Sequence, residues 1–205
     1  AAPAPLAAWR ALAGRSGHFN AWPDHCAAFD AGQPYVTVSA SSAFAHAGPG
    51  GDPSDAFIGL CRRLAAEIAQ VVLVAPCEVD AAIMRKVQAA TGLPLLGLNL
   101  PVAQGIDVLG NARAHVGGRW HPGIFAATGG TPLVAIGANT HKMAALMQQL
   151  HPGEPVFDAR GLAGQVDAIV DRAKAQLAAG PELRARLSQR AAEMRARVAG
   201  SLAFV

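Results

Sequence analysis

Residues 35–41, YVTVSAS, are β-branched and small, and a glycine-rich turn, AGPGG, separates them from the helically spaced DPSDAFIGLCRRLAAEIA. The same unit then recurs. QVVLVAP precedes EVDAAIMRKVQAATG, LPLLGLN precedes AQGIDVLGNA, AHVGG precedes HPGIFAATGG, and PLVAIG precedes THKMAALMQQL. A weaker run, PVFDA, leads into a helical C-terminal region from about residue 164. Apolar runs that are short, continuous and unalternating belong to strands covered on both faces. Six of them separated by helices predict an α/β fold: a doubly wound, Rossmann-like parallel sheet spanning 35–205. Residues 1–34 are expected to form a helical arm or linker.

Local signals agree with this reading. Asp52 is placed to cap the first helix, with Pro53 at its first position and Asp55 in its first turn. In RARLSQRAAEMRARVAGSL, residues Leu187, Met194, Val198 and Leu202 recur at near-helical spacing with arginines opposite, which predicts a packed amphipathic helix.

Composition excludes several classes. With 52% hydrophobic and 15% charged residues the chain can bury a sizeable core. No apolar run reaches the roughly 18 residues that span a bilayer, so the expectation is a cytoplasmic protein, at most peripheral to a membrane. Cys26, Cys61 and Cys77 are odd in number and far apart, which predicts buried thiols rather than disulfides or a metal site. The net charge of +3 comes with fourteen arginines and 5% aromatics, which is not the interleaved pattern of a nucleic-acid surface. The opening AAPAPL and a first methionine at Met84 suggest an interdomain linker and a preceding N-terminal domain.

A doubly wound sheet places ligands at the carboxyl ends of its strands. Two polar clusters fall there, GGRWHPG at 117–123 and GANTHK at 137–142, and they share a rim if their strands are neighbours. In the first, Gly118 permits a tight turn, and Arg119 and His121 precede or open a helix. In the second, Asn139 or Thr140 can cap a helix whose first turn holds His141 and Lys142. Cations there oppose the helix dipole by a few tenths of a kcal/mol each unless an anion compensates them. The ordinary alternatives are a hydrogen-bonded structural histidine at His121 or His141, a solvated lysine at Lys142 and a packing role for Trp120. Ser41 and Ser42, in SASSAF, offer hydroxyls to a phosphate or sugar. His115 and His121 lack metal-ligand spacing, and His18, His25, His46 and His151 read as loop residues. There is no P-loop and no G-x-G-x-x-G after a strand.

The stretch GGRWHPGIFAATGGTPLVAIGANTHKMAALMQQL resembles the C-terminal region of the polysaccharide pyruvyl transferase family. Gly118, Arg119 and His121 match its Gly-Arg-x-His motif, Gly130, Thr131 and Pro132 match its GTP turn, and Lys142 stands at its later basic position. The resemblance implies a GT-B-like domain that uses phosphoenolpyruvate as co-substrate, with no other cofactor and no metal, and a sugar or lipid-linked sugar as acceptor. It implies that Arg119 grips an anionic group, that Lys142 holds another and that His121 handles protons while a pyruvate ketal forms. Two other classes stand beside it. One is a GT-B glycosyltransferase or sugar-nucleotide epimerase domain, against which HPGIFAATGG offers no acid for ribose hydroxyls. The other is a non-catalytic domain of the same fold.

Overall fold

The computed structural model describes residue 29 and residues 33–44, 52–97 and 100–202. The predicted arm at 1–34 lies almost wholly outside these residues, as do Cys26, His18, His25 and His46.

Six strands, β1 (Tyr35–Ser41), β2 (Gln70–Val74), β3 (Leu95–Leu96), β4 (Ala114–Gly118), β5 (Leu133–Ile136) and β6 (Val156–Phe157), form one parallel sheet in the order β3-β2-β1-β4-β5-β6. The helices α1 (Ser54–Glu67), α2 (Glu78–Thr91), α3 (Val102–Asn111), α4 (Trp120–Thr128), α5 (Lys142–Leu150), α6 (Val166–Ala178) and α7 (Gly180–Leu202) connect and extend it. The chain winds outward from β1 to β3, returns beside β1 at β4, and winds outward the other way. The direction therefore reverses between β1 and β4.

Two cores follow from the period-2 alternation of strand side chains. Val36, Val38 and Ala40 face a layer built from Phe57, Leu60 and Leu64 of α1, Met84 of α2 and Ile169 of α6. The opposite face packs on Val108 of α3, Ala126 of α4, Leu146 and Met147 of α5, and Leu183 and Leu187 of α7. Each fully buried leucine or methionine there contributes roughly 1.5–3 kcal/mol. That second face carries a polar seam, because Thr37 and Ser39 point into it beside buried His115. Thr37 Oγ1 lies 3.0 Å from Nδ1 of the ring and Ser39 Oγ lies 3.4 Å from Nε2. Complete burial lowers the imidazole pKa to about 4.

Several local expectations are corrected. The first helix begins at Ser54, one residue later than expected, although Asp52 still caps it: Oδ1 accepts from the Ser54 N–H at 3.0 Å and from its hydroxyl at 2.6 Å. The LPLLGLN run yields only two strand residues. The apolar stripe on α7 packs through Leu183 and Leu187, but Val198 is 63% exposed, because the helix runs past the layer it covers. Cys61 is buried and its thiol is pushed up to about 12. Cys77 is only partly buried.

Candidate functional site

The GTP turn is structural. Gly130 adopts φ +70° and lies where a Cβ would meet the Arg184 carbonyl, so only glycine fits. Thr131 Oγ1 lies 2.9–3.2 Å from the carbonyls of Leu109, Gly110 and Ala112, and Arg184 Nη1 donates to the Ala112 carbonyl at 2.9 Å. These groups satisfy the open carbonyls at the end of α3.

The other matched motif lies at the sheet's reversal point. Ser41, the last residue of β1, donates from Oγ to the carbonyl of Gly137 beyond β5, so the bond passes over the end of β4. Gly118 makes this possible: a Cβ there would stand 2.4 Å from Ser41 Cβ and 2.9 Å from the Ile136 carbonyl. One residue further, Ser42 Oγ donates to Asn139 Oδ1 at 2.8 Å and accepts from the Asn139 N–H at 3.3 Å. Two serine bridges thus hold the end of β1 to the loop after β5.

Arg119 takes the position before α4 with extended backbone, and no side chain caps that helix. Its guanidinium reaches Asp80 in the first turn of α2. Nη2 donates to Oδ1 at 2.8 Å, and Nε approaches Oδ2 at 2.8 Å as an ionic contact outside hydrogen-bond alignment. The Asp80 side chain is 0% exposed and that of Arg119 18%. Burial pushes the Asp80 carboxyl up, and Arg119 and the Cys77 thiol offset part of that shift. The pair ties together two strand-to-helix junctions that flank β1, and it occupies the fork that the sequence reading reserved for a ligand.

Beyond this pair lies a cleft of about 370 Å³ whose lining includes Ser42, Gly118, Arg119, His121, Asn139, Thr140 and Lys142. Seven of the nine expected site residues are thus brought together. The other two are not: Ser41 is buried beneath the cleft, and His141 is exposed outside its lining. The residue preceding α5 is His141 rather than Asn139 or Thr140, and Thr140 Oγ1 accepts only a long 3.5 Å contact from the Lys142 N–H.

Five further residues line the cleft, Trp120 and Cys77 among them. Trp120 is 38% exposed rather than packed; Lys142 Nζ stands 5.6 Å from its ring centroid, and the His121 ring meets it edge-on at 5.1 Å. Cys77 lines the cleft as well. Its position ahead of α2, at the end of the β2 unit, was the available signal.

A second cleft, of about 340 Å³, adjoins the first and shares Ala138 and Asn139 with it. Asp158 and Arg160, after β6, line its far side. Among the described residues no three His, Cys, Asp or Glu side chains gather as a metal site, and no helix is long and apolar enough to cross a membrane.

Chemically, the first cleft suits an anion. The N-termini of α4 and α5, which follow the adjacent strands β4 and β5, carry no side-chain cap beyond the long Thr140 contact, and Lys142, which opens α5, reaches towards Trp120 at the start of α4.

The chain is similar to α,α-trehalose 6-phosphate synthase from Burkholderia multivorans, at 15% identity and a TM-score of 0.49, over 95% of this chain and 46% of that one. It is also similar to an O-GlcNAc transferase mutant from Thermobaculum terrenum, at 16% identity and a TM-score of 0.42, over 82% and 35% of the two chains. This chain spans less than half the length of either protein. No family model and no curated protein matches the sequence.

Proposed function

We propose that this chain is the donor-binding domain of a sugar-modifying transferase, and that the cleft between β1 and β4 holds the phosphate groups of a nucleoside diphosphate sugar. The observation that carries this reading is the convergence of two poorly capped helix N-termini and the Lys142 ammonium on one cleft at the sheet's reversal point. N–H groups and a cation aimed at a departing diphosphate stabilise the charge that builds on it as the sugar is transferred. His121, exposed at the same mouth, is in position to pass a proton to or from the substrate.

Transfer of pyruvate from phosphoenolpyruvate to a sugar hydroxyl pair, as a ketal, is the second reading. The Gly118-Arg119-x-His121 motif and Lys142 favour it. Two features weigh against it: Arg119 spends its fork on Asp80, and the cleft continues into a second lobe that a molecule as small as phosphoenolpyruvate leaves empty.

Calorimetric titration separates the two readings. Saturable binding of uridine diphosphate glucose, weakened about tenfold by Lys142→Ala and absent with phosphoenolpyruvate, is the expected result. Saturable binding of phosphoenolpyruvate alone would establish the second reading, and binding of neither would leave a non-catalytic domain.

A further inference from the structure

The second cleft contains the acid that the helix after β4 lacks. Asp158 follows β6, and each of its own polar atoms is hydrogen-bonded. Its N–H donates to Gln165 Oε1 at 3.1 Å, its carbonyl accepts from Gln165 Nε2 at 2.8 Å, and Oδ1 and Oδ2 accept the N–H groups of Arg160 and Gly161, each at 3.1 Å. The β6 edge is itself anchored, because the Gly137 N–H donates to the Phe157 carbonyl at 2.7 Å. Each carboxylate oxygen has about two lone-pair sites, and one bond to each leaves both able to accept again. The side chain is exposed on the cleft, and among the described residues it forms no ion pair. The result is a preoriented, ionisable acceptor pair facing open volume.

Geometry sets what that acceptor can meet. Neighbouring strands lie about 4.8 Å apart, so the end of β6 stands roughly 10 Å from the end of β4 across β5. A ligand whose phosphates lie against α4 and α5 therefore passes over Ala138 and Asn139 and arrives at Asp158 with the group one linkage away. In a nucleoside diphosphate that group is the ribose.

We infer that Asp158 forms a hydroxyl-recognising subsite that accepts hydrogen bonds from the vicinal diol of a ribose whose diphosphate occupies the neighbouring cleft. This rests on the phosphate reading of that cleft.

The test uses three probes by calorimetry: inorganic pyrophosphate, uridine diphosphate and 2′-deoxyuridine diphosphate, each titrated into the wild-type chain and Asp158→Asn. In the wild type, uridine diphosphate is expected to bind about tenfold or more tighter than either other probe. Asp158→Asn should erase the preference for the ribose over the deoxyribose and leave pyrophosphate affinity unchanged, with thermal unfolding as the check on folding. Pyrophosphate binding without any preference for the ribose in the wild type would overturn the inference even if the variant failed to fold, and so would a preference that survives in a folded variant. Binding of neither pyrophosphate nor uridine diphosphate would remove the phosphate reading and this inference with it.

Discussion

Replacing Arg119 by Ala leaves the Asp80 carboxylate with 0% exposure and without its guanidinium partner. Removing one member of a buried pair costs about 3–5 kcal/mol. For a chain of 205 residues, at 2–4 °C per kcal/mol, the melting temperature should fall by roughly 6–20 °C. The loss should also depend on pH. Burial already holds the Asp80 carboxyl above its ordinary range with Arg119 present, and deleting Arg119 removes the largest opposing effect. An unfolded aspartate titrates near 3.9. Between about pH 3.9 and the raised value the folded chain binds more protons than the unfolded one, so stability falls as pH rises through that window. Circular dichroism melts of the wild type and Arg119→Ala at pH 5 and pH 8 should show the larger deficit at pH 8. The paired change Asp80→Leu with Arg119→Met should recover much of it, since buried ion pairs often exchange for apolar groups at little cost. A deficit that is the same at both pH values, or a melting temperature within about 2 °C of the wild type, would refute the reasoning, because it would mean that the pair is solvated.

Two further predictions concern the strands that flank the reversal point. Gly118→Ala forces a Cβ to within 2.4 Å of Ser41 Cβ and 2.9 Å of the Ile136 carbonyl, so it should destabilise the fold by about 1–3 kcal/mol in chemical unfolding and weaken nucleotide binding by displacing α4. His115, buried with a pKa of about 4, should make the chain acid-sensitive. Its stabilising effect is complete above the unfolded value near 6.5 and is lost as pH falls toward 4, a loss of about 3 kcal/mol; His115→Gln should flatten the unfolding profile over that window.

The strand-helix alternation was readable because fully buried parallel strands leave continuous apolar runs, and β1 appears at its predicted bounds. The neighbourhood of β4 and β5 was readable only as a condition, since strand order is a property of the whole sheet, and their pairing meets that condition. What escaped were the long-range partners. Nothing near Arg119 in the sequence announces Asp80, thirty-nine residues earlier, and nothing in SASSAF announces that Ser41 bonds across β4 and is spent there. Large aromatics usually pack, which makes packing the ordinary expectation for Trp120, whereas the first turn of α4 points it at the cleft. Nothing in PVFDA marks Asp158, since an acid after a strand is an ordinary turn residue, and only the sheet order brings it beside the cleft formed by β4 and β5.

The account's central claim is that the open N-termini of α4 and α5 receive phosphate. The most direct measurement is the amide proton shift of Trp120, His121 and Met143 during an NMR titration with uridine diphosphate glucose. Saturable downfield shifts at those three amides, with a common affinity, are the predicted result. Unmoved amides there, or saturable shifts confined to another part of the sheet, would contradict it.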